Sequence, residues 1–475
     1  MIRRKRLLVV AAATMVVVGA CGSSSKSGSS ATTAKATGTT AAGGTATTAA
    51  SGGGDSLLNG AIKCTQQFKG KEVHIFSPVR DSDTQKAATN LRNSYAPLEK
   101  CTGVKVVYDG TDQFETEIKV KMAGGNPPDV IDFPQPGGIN DLIAKGLMKP
   151  FPDDLAKAVT TENLSGWPEL ATVNGKVYGV PGRANVKSLI WYSPAMFKAK
   201  GYTIPTSLED LKTLSDKMAA DGSGATPWCV GIESGVATGW VITDWFEDFM
   251  LRINGAEVYD QWVQHKIPFN DPKVKAVADA VGAYVKNAKY IGSENAVKAI
   301  ASTKFQEGGF PILQGKCYMH KQASFYAGVW AKGTKIGPDG DVNFAYFPVK
   351  AGDKKYMLGG GDLVGAGTDK PETFAVLAYT NGAQYQKDIL ADGVTEQGLS
   401  TRKDFDTSAI KDPVQKGFAD LLKGSDVFRF DGADQMPAAI GSGKFWTEGT
   451  AWILGGSTDT FLNNVEDAWK KLPPA

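Results

Sequence analysis

The chain has 475 residues, of which 42% are hydrophobic, and its 52 basic residues are balanced by 50 acidic ones. This length is enough for two domains of ordinary size. The balance of charge argues against a nucleic-acid partner, which would favour a basic patch.

The first 20 residues have the three parts of a secretory signal peptide. Residues 3–6 are all basic, residues 7–18 are apolar, and Gly19 and Ala20 precede Cys21. About twelve apolar residues are too few to span a bilayer. Residues 18–21 also resemble the bacterial lipobox, whose cysteine receives a diacylglycerol and becomes the mature N-terminus. The alternative is an ordinary signal peptide with an incidental cysteine.

Residues 21–55 are predicted to form a lipidated start and a flexible tether. Residues 22–54 are almost wholly Ser, Thr, Ala and Gly, with Lys26 and Lys35 the only charged residues. Such a segment buries too little apolar surface to offset its ordering entropy, and its mean reach is roughly 30 Å. We therefore expect the mature protein to be lipid-anchored on the outer face of the cytoplasmic membrane.

Four cysteines remain once Cys21 is assigned to the lipid: Cys64, Cys101, Cys229 and Cys317. An even number in an oxidising compartment indicates disulfides. Three pairings are possible, and sequence order favours Cys64–Cys101 and Cys229–Cys317, because each pair then lies within one half of the chain. There is no Cys-x-x-Cys motif and the three histidines are scattered, so we expect no metal and no cofactor.

The first half of the body predicts alternating strands and helices. Strands are expected at residues 73–76, 104–108 and 128–133, and helices at 84–98 and 114–122. Strands separated by helices indicate crossovers and a parallel sheet, and ligands bind beyond the carboxyl ends of such strands. The loops that should meet there are residues 80–83, 109–113 and 133–136.

The second half continues the alternation. A strand is predicted at residues 188–192, a helix from Pro194, and a capped helix start at Thr206 with Glu209 three residues later. Asp271 begins another helix, which runs towards residue 286. A β-rich stretch at 342–349 leads to the glycine run at 359–361, and helical segments follow from about residue 372.

Several of these segments resemble, in this order, the extracellular solute-binding proteins of ABC-type sugar importers, the family of maltose- and α-glucoside-binding proteins. The segments are residues 142–152, 174–181, 187–192, 206–211, 309–310 and 359–362. Residues 123–129 and 238–248 resemble the α-glucoside branch of that family. The resemblance extends from about residue 70 to the end of the chain.

The resemblance implies an α/β fold of the type II periplasmic-binding-protein kind, with two lobes and a ligand cleft between them. Each lobe would be a mostly parallel sheet flanked by helices. The N-lobe would comprise residues 56–182 and 347–388, and the C-lobe residues 183–346 and 389–475. The chain would cross between lobes near residues 181–183, 347–361 and 384–389, and glycines there would absorb rotation during closure.

A cleft for a neutral sugar needs aromatic rings to stack on and carboxylates or amides to bind hydroxyls. On one helix, Trp240, Asp244 and Glu247 would share a face, and Trp245 and Phe249 would lie on the buried side. The candidate ligand-binding residues are Arg80, Asp81, Gln113, Phe133, Gln135, Lys187, Trp240, Asp244, Gln322, Gly361 and Asp362. The competing interpretation is a helix with core tryptophans and solvated acids, a turn aspartate at 362, and an Arg80–Asp81 pair.

By family resemblance, the expected function is capture of a carbohydrate, an α-glucoside or other oligosaccharide, for delivery to a membrane permease, by a monomer that is not an enzyme. One alternative is a secreted glycoside-processing enzyme, since such sites also pair carboxylates with aromatic rings. Others are a binding protein for a non-sugar solute and an envelope protein whose cleft binds nothing. No nucleophile-elbow or zinc-protease motif occurs in the sequence.

Overall fold

The computed structural model describes residues 56–81, 86–391 and 398–473. The predicted signal peptide, the lipidation site at Cys21 and the tether lie outside these residues. Within the described ranges, no helix combines the length and the apolar character that crossing a bilayer requires.

The strands of the described residues alternate with helices along most of the chain. They are β1 (Ser56–Leu57), β2 (Ile62–Lys63), β3 (Glu72–Ser77), β4 (Lys105–Gly110), β5 (Val130–Phe133), β6 (Thr172–Val173), β7 (Lys176–Val177), β8 (Gly179–Val186), β9 (Leu189–Tyr192), β10 (Thr226–Trp228), β11 (Cys317–Lys321), β12 (Asn343–Tyr346), β13 (Tyr356–Ala366) and β14 (Val427–Phe430).

The α-helices are α1 (Ala87–Asn93), α2 (Ala96–Thr102), α3 (Phe114–Ala123), α4 (Pro136–Ala144), α5 (Asp153–Glu162), α6 (Pro194–Lys200), α7 (Leu208–Ala220), α8 (Trp240–Val263), α9 (Pro272–Val285), α10 (Ala288–Ile291), α11 (Glu294–Ala299), α12 (Pro371–Asn381), α13 (Ala383–Ala391), α14 (Pro413–Lys423), α15 (Gly432–Gln435), α16 (Trp446–Ile453) and α17 (Thr458–Trp469). Helix α8 is interrupted at Gly255, whose φ is 76°.

Helix starts follow local sequence signals closely. Ser207, rather than the predicted Thr206, caps α7, and its side chain accepts a hydrogen bond from the Asp210 amide at 3.0 Å. Asp271 caps α9 in the same way, with a proline at the first helical position. The single helix predicted at residues 84–98 is two helices, α1 and α2, and a proline lies in the first turn of the second.

Two sheets define two lobes. The first lobe contains the order β14-β13-β5-β3-β4, with β8 also paired to β13, and the second lobe contains β10-β11-β9-β12. Both sheets are mixed, and parallel pairs are in the majority only in the first. There, β3 is parallel to β4 and β5, and β13 is parallel to β14, whereas β13 is antiparallel to β5 and β8. In the second, the β10–β11 pair is parallel and the other two pairs are antiparallel.

The chain passes between the two lobes at three crossing segments. Residues 187–188 join β8 of the first sheet to β9 of the second, and residues 347–355 return from β12 to β13. Asp431 follows β14 and precedes α15, whose Ala433 lies in the core of the second lobe. The first and third crossings differ from the positions expected at 181–183 and 384–389, because β8 pairs with β13 through Val186 and α13 packs in the first lobe.

The two predicted disulfide pairs are both formed. Cys64 is bonded to Cys101 and Cys229 to Cys317. The first bond holds the segment before β3 against the end of α2, and the second joins the residue after β10 to the first residue of β11. Each disulfide therefore lies within one lobe and leaves the crossing segments unconstrained.

Candidate functional site

The glycine run in β13 lets three neighbours approach its backbone. A Cβ atom on Gly360 would lie 2.7 Å from Cε of Lys187, and one on Gly361 would lie 1.9 Å from the carbonyl oxygen of Arg183. A Cβ atom on Gly359 would meet the Phe428 ring at 2.3 Å. These distances are too short for any side chain, so the run makes room for β8, for Lys187 and for Phe428. Gly361, which was predicted to contact the ligand, instead packs against β8 in this strand pair.

Asp362 lies in a buried ion-pair group in the first lobe. Its carboxylate is paired with Arg183, whose Nη2 also lies 3.3 Å from Asp132 Oδ2. Ser77 donates to the same Asp132 oxygen at 2.8 Å, and Tyr108 donates to Ser77 at 2.8 Å. Beside this group is a cavity of only about 10 Å³, the size of a single water site. The structure thus commits the Asp362 carboxylate, predicted to bind ligand, to Arg183.

The first turn of α8 presents an aromatic surface. Gly239 precedes the helix with φ 117°, and a Cβ atom there would lie 2.3 Å from the Trp446 carbonyl oxygen, so only glycine fits. The partly buried Trp240 ring lies 5.1 Å from Phe305 and 5.9 Å from Phe325, measured between ring centroids. These three rings, the Trp240 cluster, form a surface on which a sugar ring can stack.

Lys187 lies between two carboxylates beside the Trp240 cluster. Its Nζ is 2.8 Å from Asp244 Oδ1, 2.5 Å from Asp431 Oδ2 and 5.6 Å from the centroid of the Trp240 ring. Burial alone would lower the pKa of Lys187, but Asp244 and Asp431 outweigh it and hold that pKa well above its ordinary value. Burial raises the pKa of Asp244 to about 7, against the attraction of Lys187. The ammonium of Lys187 is therefore engaged by both of these acids.

Glu247 lies one turn beyond Asp244 and is 0% exposed, so the competing interpretation of these acids as a solvated face is wrong. Its Oε1 accepts a hydrogen bond from the Ala433 amide at 2.8 Å, while its Oε2 accepts none from the described residues. Burial, and then repulsion by Asp431, raises the pKa of Glu247 well above its ordinary value. Oxygens of Asp244, Glu247 and Asp431 lie within 4.8 Å of one another, a spacing that could hold a cation. The Lys187 ammonium already occupies part of that position.

A second buried ion-pair group connects α8 to the crossing segments. Asp248 Oδ1 accepts hydrogen bonds from Arg252 at 2.6 Å and from Ser188 at 2.5 Å, and its Oδ2 lies 2.7 Å from Lys321 Nζ. Arg252 also donates to the carbonyl oxygen of Phe347 at 2.6 Å. Helix α8 therefore contacts all three crossing segments, the first through Ser188 and Lys187, the second through Phe347, and the third through Asp431.

The two lobes meet where α4 faces α15. A Cβ atom on Gly137 would lie 1.9 Å from the Met436 carbonyl oxygen and 3.1 Å from that of Asp434. The Ala438 amide donates to Asp141 Oδ2 at 3.2 Å across the same contact. Near this contact, Gln135 donates to Glu115 Oε1 at 3.2 Å. Gln135, a predicted ligand residue, is thus placed at the boundary between the lobes.

The remaining predicted residues are dispersed. Arg80 pairs with Asp112 at 3.1 Å, while Asp81 accepts a hydrogen bond from the Thr89 amide at 3.0 Å, so the two do not pair with each other. Both line a cavity of about 320 Å³ with Arg92 and Tyr108, and the cavity does not include Lys187 or the Trp240 cluster.

Three further candidates occupy different surroundings. Gln113 is exposed and lies against Gly235 of the second lobe. A Cβ atom built on Gly235 would be 3.4 Å from Gln113 Nε2. Phe133 is buried and packs edge-on against Phe114, so its ring belongs to the core. Gln322 is buried, and its Nε2 finds no acceptor among the described residues.

Sequence reasoning missed several polar residues that lie around Lys187 and the contact between α4 and α15. Asp431 and Asp434 come from the end of the chain, and Glu115 from the first turn of α3. Phe305 and Phe325, which complete the Trp240 cluster, were also not selected. The available signal was weak, because each is an isolated residue whose partners are far away in sequence.

Two lobes of mixed α/β structure joined by three crossing segments are the architecture of the type II periplasmic-binding fold. The family model for bacterial extracellular solute-binding proteins matches residues 79–387, and the chain belongs to this family. Solved structures with the same fold include the bacterial solute receptor AcbH, with a TM-score of 0.69 and 18% identity over 84% of this chain and 98% of that one. Maltose-bound MalE3 of T. maritima has a TM-score of 0.62 and 16% identity, over 84% and 99%.

Among curated proteins, the chain is similar to the α-glucosides-binding periplasmic protein AglE of Rhizobium meliloti. The two are 35% identical over 434 residues, which cover 88% of this chain and 92% of AglE. The osmoprotective compounds-binding protein GgtB of Synechocystis sp. is 36% identical over 389 residues, or 80% of this chain and 89% of GgtB.

Proposed function

We propose that this protein is the substrate-binding component of an ABC transporter that captures a carbohydrate, an α-glucoside or other oligosaccharide, outside the cell. The observation that carries the proposal is the Trp240 cluster, three aromatic rings beside the buried Lys187–Asp244 ion pair. Aromatic faces stack on the C–H faces of a sugar ring, and polar side chains at the edge of such a surface bind its hydroxyls. The similarity to the α-glucosides-binding protein AglE and to maltose-bound MalE3 supports the same class of ligand.

The proposed mechanism is capture without chemistry. A sugar that contacts the Trp240 cluster in the second lobe and Gln135 in the first gains its full set of contacts only when the lobes close. Its binding therefore shifts the population towards the closed form. Because α8 carries Trp240 and also contacts all three crossing segments, the same helix can transmit ligand contact to the hinge.

The anchor and the partner complete the proposal. We infer that Cys21 is lipidated after the signal peptide is removed, and that residues 21–55 tether a monomer to the outer face of the cytoplasmic membrane. Two acyl chains give stable attachment, whereas a single chain gives marginal binding. The closed receptor would then deliver its sugar to a permease in the same membrane.

The alternatives are an enzyme and a receptor for another solute. Asp244 and Glu247 could serve as a carboxylate pair for glycoside hydrolysis. However, Asp244 is held by Lys187 at 2.8 Å, and Glu247 is 0% exposed, so neither is free to approach a glycosidic bond. For a metal receptor, the Asp244–Glu247–Asp431 group would have to accommodate the ion beside the Lys187 ammonium.

The test is a ligand panel read by tryptophan fluorescence and calorimetry on the purified soluble domain. Ten tryptophans report closure, and the panel comprises maltose, trehalose, sucrose, raffinose, cellobiose and galactose. We expect saturable binding of at least one α-glucoside and no glucose release on prolonged incubation. Absence of binding to every sugar would contradict the proposal, and turnover of any of them would favour the enzyme.

A further inference from the structure

Three buried carboxyl groups share one ammonium group beside α8. Oxygens of Asp244, Glu247 and Asp431 lie within 4.8 Å of one another, and each of these side chains is at most 3% exposed. Lys187 Nζ lies 2.8 Å from Asp244 and 2.5 Å from Asp431, and no cation of the described residues pairs with Glu247. If all three acids were ionised, two negative charges would remain uncompensated in the interior, which is a costly arrangement.

The neighbouring groups supply no further cation to these acids. Arg252 and Lys321 are buried nearby, but both pair with Asp248, at 2.6 and 2.7 Å. Two further titratable groups lie close, Asp434 of α15 and Tyr259 of α8, and neither carries a positive charge. Because the group of two cations around Asp248 has a net charge of +1, a single proton on the three acids brings the two groups together to neutrality.

Glu247 is the member of the three that lacks a partner for one oxygen. Its Oε1 accepts a hydrogen bond from the Ala433 amide at 2.8 Å, whereas its Oε2 has no hydrogen-bond donor among the described residues. Asp431 binds Lys187 through Oδ2 and accepts a hydrogen bond from the Asp434 amide through Oδ1 at 2.8 Å. Two neighbouring carboxyl groups can form a hydrogen bond only when one of them carries a proton, and Glu247 Oε2 is the unoccupied position. Burial, and then repulsion by Asp431, raises the pKa of Glu247 in agreement with this placement.

We propose that Glu247 is a neutral carboxylic acid at neutral pH and that its Oε2 donates a hydrogen bond to Asp431. In this form its side chain makes two hydrogen bonds to the third crossing segment and the start of α15, one from Ala433 and one to Asp431. Ionisation would remove the donated hydrogen bond and place three negative charges around the single ammonium of Lys187. A retained proton therefore fastens the third crossing segment to α8, and this contact is sensitive to pH. The inference goes beyond sugar capture and requires no bound ligand.

Glu247→Gln is the informative variant, because glutamine has the shape of the neutral acid and can make both hydrogen bonds. An unfolded chain releases the proton of a glutamate above about pH 4.3, whereas the folded protein retains it. The folding equilibrium constant of the unmodified protein therefore falls by about tenfold per pH unit from this group until the folded protein also ionises. The variant lacks this loss. We expect the ratio of its folding constant to that of the unmodified protein to rise at least about tenfold between pH 5.5 and 7.5, as measured by urea unfolding.

The matched control is Glu257→Gln, at an exposed position of the same helix, for which the ratio should not change with pH. Infrared difference spectroscopy gives a second measurement that does not depend on unfolding. At pH 7.5 the unmodified protein should show the carbonyl stretch of a protonated carboxyl group that is lost in Glu247→Gln and retained in Glu257→Gln.

The contrary outcomes are distinct. A ratio of folding constants that stays constant with pH, or a Glu247→Gln spectrum that has lost no protonated carboxyl band, would overturn the proposal. Failure of Glu247→Gln to fold would overturn it too, because glutamine reproduces both hydrogen bonds of the neutral acid. Destabilisation of the unmodified protein by EDTA, absent in Glu247→Gln, would assign the three acids to a bound cation instead. None of these measurements uses a sugar, so their results are independent of the test of the proposed function.

Discussion

Lys187 Nζ lies 2.5 Å from Asp431 Oδ2, so a single ion pair joins the first and third segments that cross between the lobes. Asp244 of α8 binds the same ammonium at 2.8 Å, four residues after Trp240. The Trp240 cluster and two of the crossing segments are therefore connected through one turn of one helix.

Replacing Lys187 by methionine should strongly destabilise the protein. The variant keeps most of the side-chain volume but leaves Asp244 and Asp431 buried without their cation, which typically costs about 3–5 kcal/mol. The loss in the free energy of unfolding should be smaller at pH 5 than at pH 8, since protonation neutralises the two carboxylates that have lost their cation. Urea unfolding at both values of pH measures it.

The control for this variant is Lys200→Met. Lys200 pairs with Asp221 at 3.4 Å, but its side chain is 37% exposed, so the change should cost no more than about 1 kcal/mol. If Lys187→Met lowered the free energy of unfolding by no more than Lys200→Met does, the buried ion pairs of Lys187 would contribute little to stability.

Trp240→Ala should mainly weaken sugar binding, whereas Trp245→Ala should mainly lower the free energy of unfolding. Trp240 is partly buried in the aromatic surface, so its loss should weaken sugar binding at least about tenfold and lower the free energy of unfolding by only about 1–2 kcal/mol. Trp245 is 1% exposed in the core, and its truncation should cost about 3–5 kcal/mol. Fluorescence titration and urea unfolding distinguish the two, and a collapse of folding in Trp240→Ala would assign that ring to the core.

Sequence reasoning succeeded where the signal was local. The pattern around Trp245 and Phe249 identified a buried side of α8, and the glycine run at 359–361 marked a place of close backbone approach. The identity of the group that approaches was not available, because Lys187 is more than 170 residues away in the chain. Asp362 was consequently assigned to ligand, although Arg183 of the neighbouring strand binds it.

The burial of charge could not be predicted for the same reason. Acids at positions 244 and 247 on an isolated helix would be solvated, and they become buried only because Asp431 and Ala433 pack against them. The third crossing was misplaced at 384–389 because a helix of ordinary amphipathic pattern does not reveal which lobe it packs on. Tyr385 and Ile389 of α13 lie in the core of the first lobe.

His320 should make stability depend on pH below about 6.5. The side chain is fully buried, and burial lowers its pKa to about 4. Because the unfolded chain takes up the proton first as pH falls, the free energy of unfolding should decrease between pH 6.5 and 4, by about 3 kcal/mol from this group. His320→Gln should lack this part of the decrease, as measured by urea unfolding across the range.

The control for the pH experiment is His74→Gln, since the His74 side chain is 46% exposed. Asp244, whose pKa is raised to about 7, changes stability in the opposite direction between about pH 4 and 7, and it is present in every protein compared. The difference between variants therefore isolates His320. Equal pH slopes for His320→Gln and the unmodified protein would contradict the prediction.

The two disulfides should differ in their resistance to reduction. Cys64 is partly exposed, whereas Cys229 and Cys317 are both buried, so a mild reductant should open Cys64–Cys101 first. Thiol attack requires access to a sulfur atom, and the buried pair becomes accessible only when the second lobe opens. Timed alkylation followed by mass spectrometry gives the order, and simultaneous loss of both bonds would indicate global unfolding instead.

The matched variants Cys64→Ser/Cys101→Ser and Cys229→Ser/Cys317→Ser test how much each disulfide contributes to the free energy of unfolding. The chain-entropy model assigns about 4 kcal/mol to the bond between residues 37 apart and about 4.5 kcal/mol to the bond between residues 88 apart. Because neither bond links the two lobes, sugar affinity should be unchanged in whichever variant remains folded.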